Sequence, residues 1–149
     1  MFLLGVEAND ALRENRLNDA EHSHKTIIRY LQTQTLSEPE AEPKIAVGYH
    51  QLGRIAEERQ QFDVAEQWYR KALEIFKRLG FQQGRLHESV AWFAKTYGTA
   101  SAYRMPVVEV IRSWLGRLFE AMGREGFVNA WREATGGEEP RIDEIKVKG

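Results

Sequence analysis

Cysteine is absent from this 149-residue chain, which removes disulfides, thiolate metal sites and cysteine nucleophiles at once. Neither sign of charge is in excess: 21 Lys and Arg face 22 Asp and Glu, for a net charge of −1. That balance argues against a strongly basic nucleic-acid binder, whose affinity comes from a surplus of cations against phosphate. No apolar run approaches the ~20 residues that cross a bilayer. Met1 to Val6 is apolar but lacks a basic flank and runs straight into Glu7, Asn9 and Asp10, so it does not read as a secretion signal. A cytoplasmic protein with one substantial core is the expectation.

Catalytic signatures are also scarce. Gly98, Gly116 and Gly123 are too scattered for a phosphate-cradling loop, and Ser89, Ser101 and Ser113 lack a nucleophile-elbow context. His22 and His24 point about 200° apart on a helix and cannot share a metal. Glu57 and Glu58 are adjacent and diverge, so they make no acid and base pair. His50 and His87 could approach each other beside Glu57 or Glu88, but His87 is expected at a core position. The chain is read as no enzyme, with no cofactor and no metal.

What is present is helical periodicity. Ile45, Tyr49, Leu52, Ile55 and Ala56 recur at three- and four-residue steps, predicting a helix over 45–59 that Pro43 opens. Phe62, Ala65, Tyr69, Ala72, Leu73, Phe76 and Leu79 predict a second over 62–79, with Trp68 and Ile75 starting another apolar flank and Gly80 as its stop. Further helices are expected over 86–97, 106–122 and 126–134. Upstream, 17–32 reads as a helix with Ala20, Ile27, Ile28 and Leu31 inward, preceded by a partner helix over 2–13. Thr33 to Glu42 is a polar loop, and 136–149 a polar, frayed C-terminal tail.

The series Tyr49, Leu52, Gly53, Ala56, Ala65, Tyr69 and Ala72 resembles the tetratricopeptide repeat (TPR), a helix–turn–helix unit of about 34 residues. Glycine inside a helix costs roughly 1 kcal/mol relative to Ala, and close approach of the paired helix gives Gly53 its reason. Ala65 serves the same contact, and Ala72 the next. The resemblance is strong over 45–79 and weaker on either side. It implies an all-α fold: a short right-handed α-solenoid of about three units, roughly 2–33, 45–79 and 84–122. A capping helix at 126–134 closes a single domain over 1–135.

By that resemblance the first helix of each unit lines an inner groove. Val47, His50, Arg54, Glu57 and Glu58 would face it, joined one unit on by Arg85, Glu88, Trp92 and Lys95. Trp92 would be the energetic anchor; the alternative is that it simply packs against the following helix. Chaperone-docking members of the family hold a C-terminal carboxylate with Lys and Asn on these helices. This chain offers His50, Arg54 and Glu88 there, so a ligand of mixed charge or partly apolar character is expected instead.

The functional expectation is a protein-interaction scaffold that takes a peptide or helix of another protein, in a bacterial regulatory or signalling system such as arrays of this kind often serve. Self-association through Phe2, Leu3 and Val6 of the N-terminal helix is a further expectation. The alternative is a helical-repeat nucleic-acid binder using a ridge of Arg104, Arg112, Arg117, Arg124 and Arg132, weakened by the interleaved Glu109, Glu120 and Glu125.

Overall fold

A computed structural model describes residues 2–145, with side chains from residue 11 onward. Among the described residues there are six helices and no strand: α1 Phe2–Gln32, α2 Ala41–Glu58, α3 Phe62–Phe81, α4 Leu86–Ala102, α5 Val107–Thr135 and α6 Ile142–Ile145. Each packs on its neighbour in sequence, and α3 also reaches α5. The result is an all-α, solenoid-like stack whose core runs through Leu52, Tyr69, Phe76, Phe93, Ile111, Leu115 and Phe127.

The tightest of the glycine contacts lies between α2 and α3. A methyl group on Gly53 would sit 2.5 Å from a ring carbon of Tyr69, so only glycine admits that ring against the α2 backbone. Ala65, Tyr69 and Ala72 are all buried on the α3 side. Tyr49, also of the repeat series, is half-buried and stacks on Trp68 with ring centroids 5.7 Å apart.

Several sequence expectations need correction. The helices over 2–13 and 17–32 are one continuous α1, since nothing between Arg13 and Leu17 breaks a helix. The 2–33 unit is therefore a single long rod and not a helix pair. Within it Ile28 and Leu31 are buried, Ala20 is half-buried, and Ile27 points outward at 53% exposure because it lies one residue off the stripe. The Phe2, Leu3 and Val6 side chains lie outside the described ones.

Gly80 does not stop α3. It is buried inside the helix, where an added methyl group would come within 2.8 Å of Ser89 on α4, and Gly84 makes the turn with φ +71°. Likewise α4 runs through Gly98 to Ala102, five residues past the expected end, because an isolated glycine weakens a helix without ending it. The break before the capping segment is Gly123, whose φ of 77° and ψ of 165° divide α5 into arms over 107–122 and 124–135. The tail is not wholly frayed either. Ile145 of α6 is buried, α6 packs on α5, and the Tyr97 hydroxyl donates to Glu144 at 3.2 Å.

Polar contacts fix the order of the stack. Arg59, just past α2, donates to Glu14 at 3.0 Å, Asn18 at 2.6 Å and Glu21 at 3.2 Å, three residues on one face of α1. Burial pushes the Glu21 carboxyl up, but the Arg59 hydrogen bond and the Lys25 charge outweigh it and hold the group below its usual range. Glu66 of α3 accepts the Val107 backbone N–H at 2.9 Å, placing a carboxylate on the amino end of α5 where the helix dipole favours it.

Two glycine substitutions separate close packing from helix propensity. Gly53→Ala gains intrinsic helix propensity yet forces Tyr69 out of its seat, and should lower stability by about 1–3 kcal/mol. Gly98→Ala, with nothing within 4 Å of the added methyl group, should raise it by roughly 0.5–1 kcal/mol. Chemical denaturation of the two variants checks both signs.

Candidate functional site

Helices α2 and α4 flank α3 and run in the same direction, so their faces meet along one seam. Arg85 at the start of α4 pairs with Glu40 at the start of α2 at 3.1 Å, while the carboxyl ends of both helices border a common cleft. The seam opens into two clefts. The amino-end cleft, ≈ 310 Å³, is lined by Val47, Phe76, Arg85, Glu88 and Trp92 among others. The carboxyl-end cleft, ≈ 580 Å³, is lined by His50, Arg54, Glu57, Glu58 and Lys95 together with residues of neighbouring elements. The structure therefore brings all nine residues singled out from the sequence onto one seam.

They do not behave alike. Trp92 is half-buried at the waist between the clefts: its ring lies parallel to Phe76 at 4.9 Å and edge-on to His50 at 5.1 Å. It serves groove and packing together, and its packing partners are on the preceding helices. Lys95 sits 4.5 Å from the Trp92 ring centre. Arg85 is held between Glu40 and Glu88. Glu58 lies 3.9 Å from Arg13 of α1. Arg54 is exposed.

Two placements depart from the sequence reading. Glu57 is only 8% exposed and turns toward α3, where it accepts the Tyr69 hydroxyl. Burial raises the Glu57 carboxyl above its usual range, against the lowering effect of that hydrogen bond, and burial together with Glu57 pushes the Tyr69 phenol well up. His50 is 4% exposed and forms the inner wall of the carboxyl-end cleft with no hydrogen-bond partner at either ring nitrogen. Both follow from how wide the buried face of α2 is: Gly53 draws α3 so close that positions flanking the main stripe are covered as well.

Sequence reasoning missed Arg13, Thr99 and Tyr103, which line the carboxyl-end cleft together with Gln60 and Phe62. Thr99 and Tyr103 were out of reach because α4 was expected to end at Tyr97. Arg13 arrives from α1, whose register against α2 is set by the Arg59 contacts, and no local pattern reports it.

The other polar candidates are dispersed. His87 is exposed, not core, and His22 is exposed on α1. Among the described residues no group of three or more His, Asp or Glu is placed to hold a metal ion, and no helix is long and apolar enough to cross a membrane. On the arginine ridge, Arg112 pairs with Glu109 at 3.1 Å, Arg132 with Glu139, and Arg117 lies 4.6 Å from the Trp114 ring centre. Arg104 and Arg124 are exposed. No protein-family profile, curated protein or solved structure matches this chain.

Burial, reinforced by the Arg54 and Lys95 charges, pulls the His50 imidazole down to about 4. An unfolded chain takes up that proton near pH 6.5, so His50 costs stability progressively as pH falls from about 6.5 to about 4. Glu57, with its carboxyl raised, works in the opposite direction. His50→Gln removes only the first effect. Going from about pH 7 to about pH 5 should cost the native chain about 2 kcal/mol more than the variant, read from paired denaturation curves at the two pH values.

Proposed function

We propose that this chain is a non-enzymatic interaction module of TPR type that holds a segment of another protein, extended or helical, along the seam between α2 and α4. The observation that carries this reading is the pair of clefts in line on that seam, one with an apolar floor and one rich in cations, joined by the Trp92 and His50 rings. A segment lying there would cover Trp92 and meet donors on both sides, the mixture of aromatic anchor and polar rim that concentrates binding energy. Stacked helices that pack mainly on their neighbours leave such a face open, and among the described residues no helix other than α2, α3 and α4 contributes more than the cleft-lining Arg13 to it.

The same reading places the protein in the cytoplasm of a bacterium, as a scaffold or sensor in a regulatory system. The TPR part of the reading is supported by Gly53 against Tyr69, a close contact of the two helices of one hairpin.

Selection from a displayed peptide library, followed by amide shift mapping of the selected peptides, tests the reading. Shifts should follow Val47, Arg54, Glu88 and Lys95, and Val47→Asp should weaken capture at least ten-fold while leaving the fold intact. Binders that shift only the ridge around Arg117 and Arg124, or a library that returns none, would contradict it.

A further inference from the structure

Helix α1 is longer than the helix that supports it, with 31 residues against 18 in α2. Arg13 and Glu14 lie level with the end of α2, where they meet the Glu58 carbonyl at 3.1 Å and the Arg59 guanidinium at 3.0 Å. Residues 2–12 therefore project past α2 by about 16 Å, at a rise of about 1.5 Å per residue. Among the described residues no helix besides α2 covers α1 to a comparable extent. A helical arm this short is marginal in water unless another surface packs on it. Positions Leu3, Val6 and Asp10 continue the three- and four-residue steps of Arg13, Leu17, Ala20 and His24. The arm thus shares one face with the part of α1 that borders an open groove against α2.

That groove, ≈ 480 Å³, has Leu17, Ala20 and Ile55 as its floor. Its rim carries three guanidinium groups, Arg13, Arg16 and Arg54, against the one carboxylate of Glu58. Arg13 is engaged by Glu58, and Arg54 bears on Glu57. Arg16 is exposed and has no ion pair among the described residues. Leu12 and Ile27, which flank this stretch of α1, are 61% and 53% exposed. The groove suits a helix that is apolar along one face and acidic at its edge. Residues 2–12 have that composition: Phe2, Leu3, Leu4 and Val6 with Glu7 and Asp10, and neither Lys nor Arg.

We propose that two copies of this chain pair through antiparallel α1 helices, each laying residues 2–12 in the groove between α1 and α2 of the other. Because α1 is one continuous rod, the arm cannot turn back into its own groove, and a second copy supplies it. Both exchanges use the same face of α1 and are related by one two-fold axis, so the contact closes at a dimer. With the helices crossing near Glu14, the position of Asp10 falls within a turn of the second copy's Arg16, and that of Phe2 within a turn of its Ile27. Acidic arm against basic rim fixes the antiparallel register, since electrostatic complementarity selects among ways of pairing two apolar faces.

Sedimentation velocity of the full chain over a concentration series tests the pairing. The native chain should pass from monomer to dimer and no further. Arg16→Glu changes an exposed position, and Glu7→Lys with Asp10→Lys changes only the projecting arm. Each of these two variants should weaken self-association by about ten-fold or more at low salt, with helix content unchanged. Mixed in equal amounts, they should form a heterodimer as readily as the native chain forms its dimer, because every arm then meets a rim of opposite sign. Damage to the fold of either variant would not be repaired by mixing, so recovery reports the arm in its groove.

A native chain that stays monomeric across the series would overturn the proposal. So would variants that dimerise as the native chain does, or weakened variants that mixing fails to recover. Oligomers that keep growing with concentration would overturn the closed two-fold arrangement.

Discussion

The contact on which the rest of the molecule depends is the flat face of Tyr69 against the bare backbone at Gly53. With no side chain at 53, α3 comes close enough to α2 for one ring to bury itself completely and still reach back to Glu57 with its hydroxyl. Packing at that separation determines what else on α2 is covered. His50 and Glu57 would stand in solvent beside a more distant α3. Here they are interior groups with displaced proton affinities, and they form the base of the cleft instead of its rim. The dry wall of the seam and its perturbed groups are two consequences of one missing methyl group.

A second constraint comes from the direction in which consecutive helices alternate. Because α2 and α4 both pack on α3, they return to the same side with parallel directions, and their like ends lie together. Glu40 and Arg85 meet at one end, while Arg54 and Lys95 gather at the other. The resulting seam has different chemistry along its length: paired charge over an apolar floor, then an aromatic waist, then a polar cleft lined by Arg13, Arg54 and Lys95 together with Glu57 and Glu58. In the proposed binding mode that change along the seam would give a bound segment both a position and a polarity, since electrostatic complementarity contributes register and selectivity more than raw affinity.

The parts of this arrangement that were legible in the sequence are those written in local periodicity. The stripe from Phe62 to Leu79 and the small residues at 53, 65 and 72 located the α2 and α3 hairpin, and the repeat resemblance pointed to the residues of α2 and α4 that lie along the seam. Glycine was the less dependable signal. Gly80 and Gly98 stand where a helix could end, yet one is a close-packing site and the other is an exposed mid-helix residue, while the turns fall at Gly84 and Gly123. Sequence shows that a residue lacks a side chain, and tertiary context decides whether that absence serves a turn or a neighbour. Arg13 was invisible for a related reason, since it enters the cleft from α1, whose register against α2 depends on contacts remote in sequence, while Tyr103 was lost because α4 runs on past Gly98. Burial of His50 was likewise hidden, because amphipathic counting places a residue on a face but does not say how wide the covered part of that face is.

Nuclear Overhauser contacts between the Gly53 α-protons and the Tyr69 ring protons test the central claim most directly. The account predicts strong cross-peaks, with a Gly53 α-proton shifted upfield by the ring current and a Tyr69 hydroxyl protected from exchange. An absence of those cross-peaks, with a Tyr69 hydroxyl that exchanges freely, would contradict it.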